Sequence, residues 1–484
     1  MKKTIKYILP ALLAFAAVSC SLKEDLTGQP TADKFFGTVS DFNSFMTGAY
    51  DPLVILYGSD VPYVAGAGAE DVFTSVVRWK GFEQANINSV GNPDELTSEL
   101  WNSYYSSISS CNTMIRIIGE NTKIAKEKLL PIKGEALFLR AFNYFNLVRW
   151  FGKVPLLLVD NQEKAATEKE SEVADIYTQI VNDLVEAEKI LPDSQADASK
   201  PSKITASALL SQVYLTMAGY PLNKTEYYAS ARDAAAKVID SNEYSLEPTF
   251  FNLWLYDNRL INPEFIFAFY ASSSNGTGGY VNRAIRPEDH GEGGWADWTS
   301  DERYLNEFPH GNESRVEGTF YLTLMDGTPW QESTMKQPYV GKLRDGGSKA
   351  GGYYGAPTAN KADGFYCMIR YSDILLVYAE AANKAEGKPS EAAYKALNDV
   401  RARAGLEACS GLSTDNFDKA VLDERKWELA FECSRWFDIV RRHILRETIT
   451  KYYPEASVDE HNYLLPKPYE QLTIMQGIEQ NPGY

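Results

Sequence analysis

The chain has 484 residues, 44% of them hydrophobic and 13% aromatic, with a formal net charge of −17. Such an apolar fraction excludes a disordered chain, and the length accommodates about three average domains or one extended repeat architecture. The acidity disfavours nucleic acid as a partner, because a phosphate backbone demands a basic face.

Lys2, Lys3 and Lys6 precede an apolar run from Ile8 to Val18, followed by Ser19 and Cys20. A run this short does not span a bilayer, so residues 1–19 read as an export signal. Ala17 and Ser19 fit ordinary signal cleavage or lipoprotein processing; a cysteine at this place in a chain with 5 cysteines favours an acylated Cys20. Residues 20–30 then form a lipidated polar tether, and loss of the signal's three lysines moves the net charge from −17 to −20. The expected location is an outer cell surface, anchored by lipid and not spanning the membrane. The other cysteines, Cys111, Cys367, Cys409 and Cys433, contain no C-x-x-C pair and read as isolated thiols; a Cys409–Cys433 disulfide is permitted but not implied.

Residues 56–82 are rich in glycine and aromatics and lack helical period. Helical signals follow. The stretch GEALFLRAFNYFNLVRWFGKVPL, 134–156, is apolar enough to be buried yet carries Arg140 and Arg149, with Glu135 as a partner for Arg140. In residues 172–191, Val173, Ile176, Tyr177, Ile180, Val181 and Leu184 recur at three and four, with Ser171 placed as N-cap. Residues 202–218 and 226–241 repeat the pattern. It returns at 371–387 and 389–405, where Pro389 opens a helix and Gly387 and Gly405 mark helix ends. In DERKWELAFECSRWFDIVRR, 423–442, Asp423, Glu424, Glu428 and Glu432 offer partners to Arg425, Arg435 and Arg441. Helices of this length joined by short turns predict stacked hairpins of tetratricopeptide type.

Between the helical halves the character changes. Residues 276–364 hold 16 of the 33 glycines, with Tyr and Trp among them. A stretch that long is no connector, and such loops usually carry function on a rigid scaffold.

No catalytic signature is present: no H-E-x-x-H, P-loop, G-x-S-x-G or complete G-x-G-x-x-G, and no two of His290, His310, His443 and His461 stand close enough in sequence to read as metal ligands. Asp289, Glu292 and Asp297 could supply a carboxylate pair, but the surrounding GEGGWADW reads better as a binding platform than as a glycosidase centre. Sugars stack their C–H faces on Trp and Tyr rings and bond their hydroxyls to a few polar side chains. Trp79, Trp295 and Trp298 are the expected stacking rings, Tyr63 and Tyr353 further ring surface, and Arg283 and Asp297 hydrogen-bonding groups; Trp101, Trp150, Trp254, Trp427 and Trp436 read as core. No enzyme activity, cofactor or metal is expected.

GEALFLRAFNYFNLVRWFGKVPL, IRYSDILLVYAEA, LNDVRARAG, LDERKWELAFECSRWFDIVRR and the terminal NPGY together resemble the SusD/RagB family of outer-membrane nutrient-binding lipoproteins, over almost the whole chain after Cys20. The resemblance implies a predominantly all-α fold, a tetratricopeptide-like helical-hairpin scaffold with a large irregular loop-rich ligand-binding region. It implies one SusD-like domain over 31–484, the scaffold at about 31–245 and 365–484 and the insert at about 246–364. It also implies a partner, a SusC-like TonB-dependent transporter, to which a captured glycan is delivered. A peptide ligand, or a lid without ligand affinity of its own, are the alternatives the resemblance leaves open. The shared motifs are scaffold motifs and carry no binding residue.

Overall fold

A computed structural model describes residues 35–343 and 362–484, together with the backbone of 349–350 and 353–354. The export signal, Cys20 and the tether lie outside the described residues, as does the side chain of Tyr353.

The scaffold is helical. In chain order its long helices are α1 (Val39–Tyr57), α2 (Asp94–Glu120), α3 (Lys126–Phe151), α4 (Val173–Ile190), α5 (Lys203–Ala218), α6 (Tyr227–Ser241), α7 (Tyr371–Glu386), α8 (Glu391–Arg403), α9 (Thr414–Glu428) and α10 (Arg435–Arg442). Each of α1 to α6 packs on the next, α6 packs on α7, and α7 packs on α8 and α9. Antiparallel neighbours stacked this way bury faces that none could bury alone.

Local chemistry sets the boundaries. Thr38 and Asp41 close a capping box on α1, and the Ser202 side chain caps α5 by accepting from the Thr205 N–H. Gly387 and Gly405 follow their helices at φ +69°, the left-handed conformation that glycine adopts without strain. Ser171 does not cap α4 as its position suggested. It pairs with Val154 in a short strand, and Glu172 takes the N-cap place with no side-chain bond.

Two strands fasten the insert. β2 (Phe265–Ala271) and β4 (Gly364–Arg370) pair antiparallel with Gly364 opposite Ala271, so the excursion between them leaves and returns at one point. Phe267 of β2 meets Phe138 and Phe142 of α3 edge-on at 4.9 and 5.9 Å, which seats the stalk on the scaffold. The core is continuous across the junction: Trp298, Tyr304 and Phe320 of the insert belong to the same buried cluster as α1 to α5. Cys111, Cys367, Cys409 and Cys433 are all free, so no Cys409–Cys433 bridge forms.

The arginines are beams, with partners other than the local ones. Glu135 and Arg140 are five residues apart and thus about 140° from each other around the helix. Arg140 turns instead to Asp183 of α4 at 2.7 Å, and Glu135 to Lys200. Near α9, Arg370 meets Glu264 at 2.7 Å, Glu428 at 2.5 Å and Glu432 at 2.8 Å. Arg403 adds bonds to Glu264 and Glu428, Arg315 to Glu424, and Lys342 to Glu432. Arg425 reaches Asp373 and Asp438, Arg435 reaches Glu70, and Arg441 reaches Glu380 as well as nearby Asp438. Residues on successive faces of a helix meet different neighbours, so a charged segment pairs mostly outward.

Candidate glycan-binding shelf

α1 ends at Gly58, whose carbonyl accepts the N–H groups of both Tyr280 (2.7 Å) and Val281 (2.9 Å). This crossing needs glycine on both sides. A Cβ on Gly58 would stand 2.9 Å from the Gly279 Cα, and one on Gly279 would stand 2.2 Å from the Tyr366 hydroxyl. The insert is thereby pinned to the end of the first scaffold helix.

After the short helix Val281–Ala284 the chain turns back along it. Trp295 donates its N–H to the Arg283 carbonyl at 2.9 Å, and Asp297 donates to Ala284 at 2.7 Å. Strand β3 (Trp298–Thr299) then pairs with β1 (Phe73–Thr74), and Ser75 donates to the Asp297 carbonyl at 3.0 Å. The two glycine-rich regions, far apart in sequence, therefore form one surface.

On that surface Trp295 and Tyr280 are half-buried, their ring centroids 5.8 Å apart and inclined at 50°. The Arg283 guanidinium lies 4.9 Å from the Trp295 ring centre, with Nε donating to the Gly293 carbonyl. The Tyr280 hydroxyl donates to Asp60 at 3.2 Å. Burial, then the neighbouring Asp297, pushes the Asp60 carboxyl up to about 7. Burial also raises Asp297, against the opposing pull of Arg78. Arg78 pairs with Glu95 at 2.9 Å beside Val77, which is 85% exposed.

The expected site residues divide. Trp295, Arg283 and Asp297 share this surface. Trp298 and Tyr63 do not: they stack on each other at 5.1 Å and 14° inside the core, with Trp298 fully buried, so neither presents a free ring face. Trp79 is 6% exposed and covered by the Arg78 guanidinium at 4.7 Å, which likewise removes it from the platform. Tyr353 is described only by its backbone pairing with Ala350. Two participants, Tyr280 and Asp60, escape sequence reasoning, although the aromatic closing GTGGY at 276–280 was a usable signal for the first.

The acids of the loop have structural work. Glu292 is fully buried and accepts from Arg286, the Tyr321 hydroxyl and the Met325 N–H. Asp289 accepts from the Thr334 backbone and hydroxyl. Among the described residues no group of three or more His, Cys, Asp or Glu could hold a metal ion, and no helix is long and apolar enough to cross a membrane.

Comparison with known proteins places these features. Residues 317–484 match the model of the SusD family, and residues 42–215 match a model described as starch-binding associating with outer membrane. The chain belongs to the SusD/RagB family. Among its SusD-like relatives is SusD-like protein P2 of Formosa agariphila, 28% identical over 98% of both chains. A SusD superfamily structure from Parabacteroides distasonis superposes with a TM-score of 0.78 at 25% identity, over 92% of this chain and 99% of the other. A laminarin binding SusD-like protein superposes at 0.76 and 23% identity, over 92% and 99%. In this SusD-like chain the first matched segment carries α1 to α5 and ends before the insert, and the second begins beyond Trp295. The rings Tyr280 and Trp295, with Arg283 and Asp297, therefore fall between the two matched segments, whereas Asp60 and strand β1 lie within the first.

Proposed function

We propose that this SusD-like protein binds a glycan non-covalently on the Trp295–Tyr280 shelf and delivers it to a SusC-like TonB-dependent transporter, without chemistry of its own. In this reading residues 1–19 are removed, Cys20 carries the lipid that holds the protein on the exterior of the outer membrane, and 31–484 act as one domain. The observation that carries it is the inclined, half-buried pair Trp295 and Tyr280, with Arg283 against the Trp295 ring, Asp297 at the rim and the buried Asp60 holding the Tyr280 hydroxyl. The two rings offer apolar faces on which sugar C–H faces can stack, while the polar groups at the rim meet hydroxyls. The laminarin binding relative of the same fold supports the ligand class.

The test is calorimetry of the chain from Ser21 onward against a panel of soluble polysaccharides. Trp295→Ala should weaken binding by about 1–3 kcal/mol, the range for a hot-spot aromatic. Full affinity in a folded Trp295→Ala protein would reject the shelf. Cys20→Ala should release the protein from the membrane fraction.

A further inference from the structure

The two arginines of α3 have different fates. Among the described residues, each of the eight buried arginines, Arg140, Arg286, Arg315, Arg370, Arg403, Arg425, Arg435 and Arg441, faces a carboxylate. Arg149 does not. Its guanidinium is held between the rings of Phe145 and Phe437, 3.8 and 3.7 Å from their centres. Nε donates to the Phe145 carbonyl and Nη2 to the Asn146 side chain, while Nη1 has no partner among the described residues. Asp438 acts on it electrostatically, but both Asp438 oxygens are occupied by Arg425 and Arg441. Burial depresses the Arg149 pKa, as it does for a cation without a close counter-charge.

Arg149 lines a cavity of about 410 Å³ between α3, α4, α10 and the C-terminal residues. Its walls are largely apolar, from Val148, Tyr177, Phe437, Val440, Tyr463 and Leu464. The other cations of the wall are already matched: Lys153 with Glu172, Lys467 with Glu170, and Arg441 with Glu380. Of its acids, Glu460 bonds His443, and Glu479 is exposed. The cavity shares no residue with the shelf. Its size is that of a pocket for one small molecule, of order 300–1,000 Å³.

We propose that this cavity is a second ligand site, taking a small organic carboxylate whose charged end meets Arg149 and whose apolar body lies against Tyr177, Phe437 and Val440. A guanidinium fixed between two rings has little rotamer freedom left to lose, and its free edge matches a carboxylate. The apolar walls add burial and strengthen the charge contact by excluding water.

The probe is 1-anilinonaphthalene-8-sulfonate, an amphipathic anion, titrated by fluorescence into the chain from Ser21 onward. Octanoate should displace it and octanol should not. Arg149→Met should weaken probe and octanoate binding at least tenfold. Val173→Trp, which plugs the cavity without touching the cation, should do the same, whereas Trp295→Ala should leave both unchanged. Equal displacement by octanol, or undiminished binding in a folded Val173→Trp protein, would overturn the proposal. The octanol comparison needs no variant and decides the matter if Arg149→Met does not fold. None of these outcomes depends on whether the shelf binds glycan.

Discussion

At the residue scale, three positions separate a ring at the surface from a ring in the core. Trp295 is half-buried beside Tyr280, and Trp298 lies fully buried on Tyr63. The loop gave no period from which to assign inside and outside, so both tryptophans read alike in sequence. Asp60 was invisible for another reason: its environment is assembled from Tyr280 and Asp297, some 220 residues away or more. That environment has a measurable consequence. With a folded pKa of about 7 against an ordinary value of 3.8, the folded state holds a proton that the unfolded state has released. Stability should therefore fall as pH rises from about 4 to about 7, and the penalty should persist above that. Asp60→Asn keeps an acceptor for Tyr280 and removes the penalty. Melting temperatures at pH 5 and pH 8 should show the variant gaining relative to the parent only at the higher pH; an equal difference at both would contradict the assignment.

At the scale of elements, the helices were legible and the shelf was not. Residues 203–218, 227–241 and 371–386 are helical within two residues of the periodicity's boundaries, because a helix repeats contacts only three and four residues apart. The shelf depends on crossings between distant segments, such as Gly58 with Gly279. Gly279→Ala should destabilise the protein by about 1–3 kcal/mol, the overpacking range, and distort the shelf enough to weaken glycan binding. Gly291→Ala makes the contrast. A Cβ there meets nothing within 4 Å, so at φ +76° only conformational strain of about 1–2 kcal/mol remains. Urea denaturation of both variants, with calorimetry on the same preparations, checks this; unchanged binding in Gly279→Ala would show that the crossing does not position the shelf.

Across the whole molecule, buried charge joins insert and scaffold. Glu428 sits fully buried among Arg370, Arg403 and Arg315, and although burial opposes ionisation these cations hold its carboxyl well below the usual range. Such a group contributes stability above its unfolded pKa and loses it as the pH falls. Glu428→Gln keeps the shape, removes the charge and strands the arginines. It should cost about 3–5 kcal/mol at neutral pH, read as a lower urea midpoint, and should shrink the difference from the parent in acid. A loss below 1 kcal/mol would mean that the network is not a structural joint.

The sequence by itself determined the helical class, the order of the hairpins, the family and the fact that buried arginines in these helices need partners. Those properties rest on local periodicity and on a charge that no core tolerates alone. Only the tertiary structure decided which partner each arginine takes, which tryptophans reach the surface, and that Arg149 takes no carboxylate at all. These depend on contacts between segments tens to hundreds of residues apart, whose geometry leaves no period in the chain.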